Sequence, residues 1–228
     1  MFDTLLFGVL PYVAMFTFFL VTIQRYRQRS FSYSSLSSQF LENRKHFWSL
    51  VPFHYGILVV LTGHIVAFLF PRELLAFNSR PVRLYILEIA ALTGGLMTLV
   101  GLMSAIFRRA TTAKIRTVTT VSDWLVYAML TLQVANGVYV AVVHPWGSSW
   151  FAASVSPYLW SLARLTPDIT TIAPLPWGVK LHIVNAYLLI GFFPFTRLVH
   201  VLVIPNVYLW RKPQVVRWPG RSRPYPAA

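Results

Sequence analysis

The stretch Pro52–Pro71, PFHYGILVVLTGHIVAFLFP, decides the fold. It is long and apolar enough to cross a bilayer, which takes about 20 helical residues, yet it carries two histidines, His54 and His64. A polar side chain in hydrocarbon is costly unless it has a partner or a task. Four more runs share the same length and apolarity. The expected spans lie near residues 4–23, 49–70, 82–107, 121–143 and 179–204, each bounded by charged or Pro-rich sequence, with a basic tail over 205–228. They predict an all-α integral membrane protein of five transmembrane helices in a single membrane domain.

Composition agrees. Of 228 residues, 56% are hydrophobic and only 11% charged, with a mean hydropathy of +0.59, whereas soluble domains carry roughly 25% charged residues. The first run has no basic flank before it and reads as a retained span, not a cleaved signal.

The net charge of +14 raises the question of nucleic acid, and the distribution argues against it. Basic residues follow the first span (Arg25, Arg27, Arg29, Arg44, Lys45), the third (Arg108, Arg109, Lys114, Arg116) and the fifth (Arg211, Lys212, Arg217, Arg221, Arg223). The other side carries only Arg72, Arg80, Arg83, Arg164 and Lys180. By the positive-inside rule the N-terminus lies outside and the C-terminus in the cytoplasm. The basic character is a topology signal, and no nucleic acid is expected as a partner.

Cysteine is absent. This chain therefore holds no iron–sulfur cluster by the usual ligands and has no thiolate nucleophile. The longest segment between spans, residues 144–177, is rich in Pro, Ser and Trp. It reads as a lid with a short surface helix, too small to form a catalytic domain of its own. The chemistry belongs in the membrane or on a partner.

Of six histidines, His46 and His144 lie at span edges and read as surface residues, while His54, His64, His182 and His200 lie within spans. A lone intramembrane histidine serves equally well as a hydrogen bond between helices. Two on each of two helices are a stronger signal. Spans two and five run in opposite directions, so His54 and His200 fall near the cytoplasmic side. His64, about 15 Å further along, then lies level with His182 at the outer side. His182 and His200 are eighteen residues apart, five whole turns of an ideal helix, although Pro194 between them kinks it. A pair of imidazoles from facing helices is a bis-histidine haem site. Gly56, Gly63, Gly94, Gly95 and Gly101 supply bare surfaces for a flat macrocycle or, equally, for close helix packing.

Three segments carry a family resemblance. They are FHYGILVVLTGH (53–64), KIRTVTTVSD (114–123) and LHIVNAYLLIGFFPFTRLVHVLVIPNVYLWRK (181–212). Together they resemble the gamma subunit of respiratory nitrate reductase, a membrane cytochrome b, and the likeness is weakest over 144–180. The resemblance implies two b-type haems, the inner held by His54 and His200 and the outer by His64 and His182. It implies quinol oxidation near the outer haem beside Gly63 and His64, drawing on the membrane quinone pool. A basic residue at the start of span three is tied to that site, and Arg83 stands where the family usually has lysine, a change that alters donor geometry. The partners implied are an iron–sulfur beta subunit and a molybdenum-containing alpha subunit on the cytoplasmic side of the cell membrane. Quinol protons then leave outside while electrons pass inward against an inside-negative potential, at about 2.3 kcal/mol per 100 mV.

Arg108 and Arg109 are candidates for haem propionates or plain topology determinants. Asp123 in VSDW is expected to cap the fourth span. Glu88 is expected to pair with Arg83 or Arg80, with proton acceptance from quinol as its other reading. Two alternatives remain at this stage: a related haem b subunit serving a reductase of sulfur compounds or heterodisulfides, and a transporter with a histidine proton relay.

Overall fold

The computed structural model describes residues 2–33 and 46–202; the expected tail 205–228, and the last residues of the fifth expected span, lie outside them. Every regular element among the described residues is helical. Five are long and apolar enough to cross a membrane: α1 (Phe2–Arg29), the Ser49–Leu69 part of α2 (His46–Leu69), α4 (Pro81–Thr111), α6 (Val121–Val143), and a fifth span, Trp177–Phe195, that begins as α9 (Trp177–Phe192). Short helices join them: α3 (Pro71–Asn78), α5 (Ala113–Arg116), α7 (Gly147–Trp150) and α8 (Ser156–Ala163). Start signals are local. Pro occupies the first turn of α3 and α4, where its missing N–H costs nothing. Thr120 and Asp123 form a reciprocal capping box at α6, the role expected of Asp123.

The spans pack in the order α2, α4, α6, α9, α1, each against the next, while α2 and α9 share no comparable packing. The tightest seam, α2 on α4, is made by glycine. A Cβ on Gly56 would lie 2.5 Å from the Gly94 carbonyl oxygen, and one on Gly101 2.5 Å from the Phe53 nitrogen. These glycines therefore serve close helix approach, which lets backbones meet without a hydrophobic drive between helices. Gly95 turns instead toward Val138 of α6. Beside Gly63 a Cβ would meet nothing within 4 Å.

The lid is no surface ornament. The main buried cluster joins Phe7 and Ala14 of α1, Val155, Tyr158 and Leu162 around α8, Ile172, and Tyr187 of α9. α8 also supplies donors that the spans lack. In α1 the Phe7 carbonyl faces Pro11, which has no N–H to offer; the Tyr158 hydroxyl, 0% exposed, donates to it at 2.7 Å. At the end of α2, Ser156 Oγ donates to Ala67 O (2.8 Å) and Trp160 Nε1 to Phe68 O (2.9 Å), capping orphan carbonyls of the last turn. Burial, reinforced by neighbouring Tyr187, pushes the Tyr158 phenol well above the ordinary tyrosine range.

The fifth span is not one continuous α-helix. The α-helical stretch ends at Phe192, residues Phe193–Phe195 form a 3₁₀ turn, Thr196 is extended (φ −117°, ψ 178°), and Arg197–Leu202 is again 3₁₀. The expected five whole turns between His182 and His200 therefore do not apply. Pro194 breaks the helix outright where a kink was expected. Arg25 of α1 answers the released carbonyls, donating to Pro194 O (2.6 Å) and Thr196 O (2.9 Å).

The seam gives a direct test. Gly101→Ala forces a Cβ into the α2 backbone and is expected to destabilise the bundle by about 1–3 kcal/mol. Gly63→Ala enters open space and leaves the melting midpoint in detergent unchanged or slightly raised. Circular dichroism melts of the two variants check both.

Candidate functional site

The gap between α2 and α9 is where the intramembrane histidines collect. His54 and His64 sit on α2, exposed toward open space. Each holds its Nδ1 against the carbonyl four residues back, His54 on Leu50 O and His64 on Val60 O, both at 2.8 Å. His200 holds its Nδ1 against the carbonyl three residues back, Arg197 O, at 2.6 Å. An Nδ1–H donated to a carbonyl fixes the tautomer and leaves Nε2 as a free lone pair, the arrangement of a metal-ligating imidazole.

His64 and His182 are brought together. Their ring centroids lie 6.3 Å apart with planes inclined by 31°, and Phe151 from the lid packs edge-on against His64 at 5.3 Å. A metal–imidazole bond of about 2 Å on each side, plus about 1 Å from nitrogen to ring centre, would put two trans imidazoles about 6 Å apart. The spacing fits one macrocycle-bound metal between them. Among the described residues, no three His, Asp or Glu side chains converge as a metal cage; a macrocycle that brings its own four nitrogens needs only two.

His182 is set by a chain of amides with one direction. Asn185 Nδ2 donates to the Met129 carbonyl (3.0 Å) and to Gln133 Oε1 (2.7 Å), so the Gln133 NH₂ faces His182 Nε2 at 3.1 Å. His182 Nδ1 is buried with no hydrogen-bond partner. A Cβ on Gly137 would stand 2.9 Å from His182 Cε1, so α6 leaves room for this ring. Gly137 leaves room for the ring, and the Gln133 amide takes the Nε2 lone pair, so a metal bound through Nε2 would displace that contact. The sequence reading gave α6 no role. Its signal was Gln133, Asn136 and Gly137, spaced three and four apart on one helix face.

His54 and His200 share the other end of the bundle. Phe53 packs on Gly101 late in α4, and Arg197 reaches Val118 O (2.9 Å) and Asp123 (3.0 Å) at the start of α6. No ring contact joins His54 to His200 among the described residues. Arg108 and Arg109 close α4 at this end, both buried. Arg109 lies 3.7 Å from Asp123, donates to Thr119 Oγ1 (3.0 Å) and covers the Tyr127 ring. A haem carboxylate at Arg109 would share it with Asp123.

At the lid end Arg83 stands in the first turn of α4, exposed, its guanidinium over Phe77 at 5.4 Å. The expected ion pair between Glu88 and Arg83 or Arg80 does not form. Five residues from Arg83, Glu88 points to another face of the helix. Its carboxylate instead accepts from Gly147 N (3.2 Å), Ser148 N (2.9 Å) and Ser148 Oγ (2.6 Å), tying the lid to α4. Trp146, in the left-handed region at φ 65°, turns the chain into that contact. His144 ends α6 with its ring on Tyr139; the His46 side chain lies outside the described residues.

Comparison with known proteins matches nearly the whole chain to one family. A profile of the nitrate reductase gamma subunit matches residues 3–219. The chain is 30% identical over 216 residues to the nitrate reductase gamma chain of Bacillus subtilis, covering 93% of this chain and 97% of that one. It is 29% identical over 222 residues to the respiratory nitrate reductase 2 gamma chain of Escherichia coli, covering 92% and 95%. A nitrate reductase-like protein of Mycobacterium tuberculosis matches at 30% over 216 residues, 92% of this chain but 33% of that longer one.

The amide chain predicts its own disruption. Gln133→Leu strands the Asn185 amide and the His182 ring in an apolar seam, and is expected to destabilise the bundle by about 1–3 kcal/mol. Gln133→Glu keeps an acceptor for Asn185 and should lose less, read by the same detergent melts.

Proposed function

The chain belongs to the nitrate reductase gamma subunit family, a multi-pass membrane component of a multi-subunit oxidoreductase, and from that premise we propose that it oxidises quinol and delivers electrons, through two b-type haems, to partner subunits that reduce nitrate. The observation that most supports this is the His64–His182 pair, facing at 6.3 Å across the gap between α2 and α9. Bound between such imidazoles, a haem supplies a one-electron relay between a two-electron donor and the next carrier.

The rest falls to the chain's own groups. His64 and His182 hold one haem and His54 and His200 the other, with the backbone carbonyls of Val60, Leu50 and Arg197 keeping three of the rings in the ligating tautomer. Gly63 leaves room beside His64. At that end Arg83 donates a hydrogen bond to a quinol oxygen, holding the ring while its protons are released to the adjoining aqueous face. Arg108 and Arg109, both already engaged within the protein, are the basic groups that a haem carboxylate would meet at the other end. The bias of basic residues supports an N-terminus outside, which puts the quinol site at the outer face of the cell membrane and the receiving subunits in the cytoplasm. Those receivers are an iron–sulfur beta subunit and a molybdenum-containing alpha subunit, since a chain without cysteine leaves cluster ligation to a partner.

Pyridine haemochrome assay of the purified complex should give two b haems per gamma chain, and a value near zero from haem-replete membranes would sink the reading. His64→Ala should remove one haem and abolish quinol oxidation. Arg83→Ala should raise KM for quinol or lower turnover about tenfold, the loss of about 1.4 kcal/mol, at unchanged haem content. Arg83→Lys should keep most activity, because lysine retains the charge and a donor. Unchanged quinol kinetics in Arg83→Ala would reduce Arg83 to an interfacial anchor.

A further inference from the structure

A ligand on an unbroken helix inherits its position from the helix. His200 cannot, because the α-helix ends at Phe192 and Thr196 is extended. What ties the following 3₁₀ segment to the bundle is Arg197. Its Nε meets Asp123 Oδ1 at 3.0 Å, its Nη2 donates to Val118 O at 2.9 Å, and its own carbonyl accepts His200 Nδ1 at 2.6 Å. One residue thus grips the start of α6 with its side chain and the histidine with its backbone.

Asp123 is built to be gripped. It is 7% exposed, and its Oδ2 accepts from the Thr120 amide (2.9 Å) while the Thr120 hydroxyl accepts from the Asp123 amide (3.3 Å). Arg109 approaches the same oxygen at 3.7 Å. A helix cap needs no cationic partner. Two guanidiniums from two other elements converging on one buried carboxylate go beyond capping, and a single charge removed from such a cluster leaves the others uncompensated.

We propose that Asp123 is a positioning residue for His200, acting through Arg197: the ion pair between them holds the ligand where the broken helix no longer can. This rests on the reading of His54 and His200 as haem ligands. The Leu198 amide bonded to Thr196 Oγ1 (3.0 Å) and the Arg25 bonds to Pro194 and Thr196 hold the break itself. Beyond it Val199 is buried and Arg197 bonds the Val118 carbonyl, and the Asp123–Arg197 pair is the charged contact that fixes the segment's placement.

The test uses the complete complex in native membranes, comparing the parent with Asp123→Asn, Arg197→Met and the double variant, and with His200→Ala as the reference for loss of that haem. Asn keeps an acceptor for the Thr120 amide and removes only the charge. Spectropotentiometric titration and haem content per chain resolve the two haems without relying on turnover. Both single variants should lose or shift in potential the component absent from His200→Ala, with haem affinity there falling about tenfold or more. The other component should keep its parental potential and content, which also reports an intact bundle. The double variant should be no worse than either single one, as two residues acting through one contact require. Parental potentials and content for both components in Asp123→Asn and Arg197→Met would overturn the proposal. So would joint loss of both components, because Asp123 would then support the whole bundle and not one ligand. Absence of haem from the parent would strike the functional reading instead.

Discussion

No water reaches the middle of a bilayer, so each polar group in a span must be answered by the protein or by something the protein binds. The placement of most polar side chains in this chain follows from that constraint. Proline makes it visible. Pro11 deprives the Phe7 carbonyl of its donor, and Tyr158 crosses from α8 to replace it. Pro194 ends α9, and Arg25 arrives from α1 to take the freed carbonyls. The arginine that reads in sequence as a positive-inside marker is also a backbone cap, and one residue satisfies both demands because the break lies at the depth where such arginines sit.

The same constraint isolates the histidines. Lys180 finds Asp3 at 2.9 Å, Asn136 finds the Gly178 carbonyl, and Asn185 finds two acceptors. His54 and His64 are answered on one nitrogen each, and His64 turns its ring to His182 across the gap between α2 and α9. On the reading of these histidines as ligands, the unpacked seam between α2 and α9 is where a bound group would answer the remaining lone pairs. Gly56 and Gly101 explain how the gap is made, since glycine draws α2 onto α4 and away from α9.

Much of this was legible in the sequence and some of it was not, for reasons that can be named. Apolar runs and their basic ends mark helices because length and hydrophobicity are local quantities. The Thr120–Asp123 cap is legible for the same reason. The His64–His182 pairing follows from depth arithmetic within two straight stretches of helix. The arithmetic fails for His200 because Pro194 stops the α-helix, and no periodicity carries phase across an extended residue. Glu88 was misassigned to Arg83 or Arg80 because its partner is the backbone of α7, and backbone donors leave no mark in composition. The lid was expected at the surface because its sequence is rich in Pro, Ser and Trp, yet those hydroxyls and the Trp160 indole are the donors that span ends require. The glycines could not be sorted by sequence at all. Only their neighbours separate Gly101, pressed on backbone, from Gly63, facing open space.

The two ends of the bundle are consequently held by different physics. At the lid end His182 is fixed by neutral amides inside a packed seam, and the lid itself is pinned by apolar burial and by carbonyl caps. At the other end the chain has left the α-helix, and its position depends on charge: Asp123 with Arg197 and Arg109. Eighteen residues of unbroken helix would have spanned about 27 Å and locked both ligands to a single rotation. Interrupting the helix at Pro194 frees the second ligand to be placed by its own contacts, so the two histidine pairs need not share one geometry. On the reading of both pairs as haem ligands, each site is then set by its own contacts, neutral amides at His182 and an ion pair behind His200.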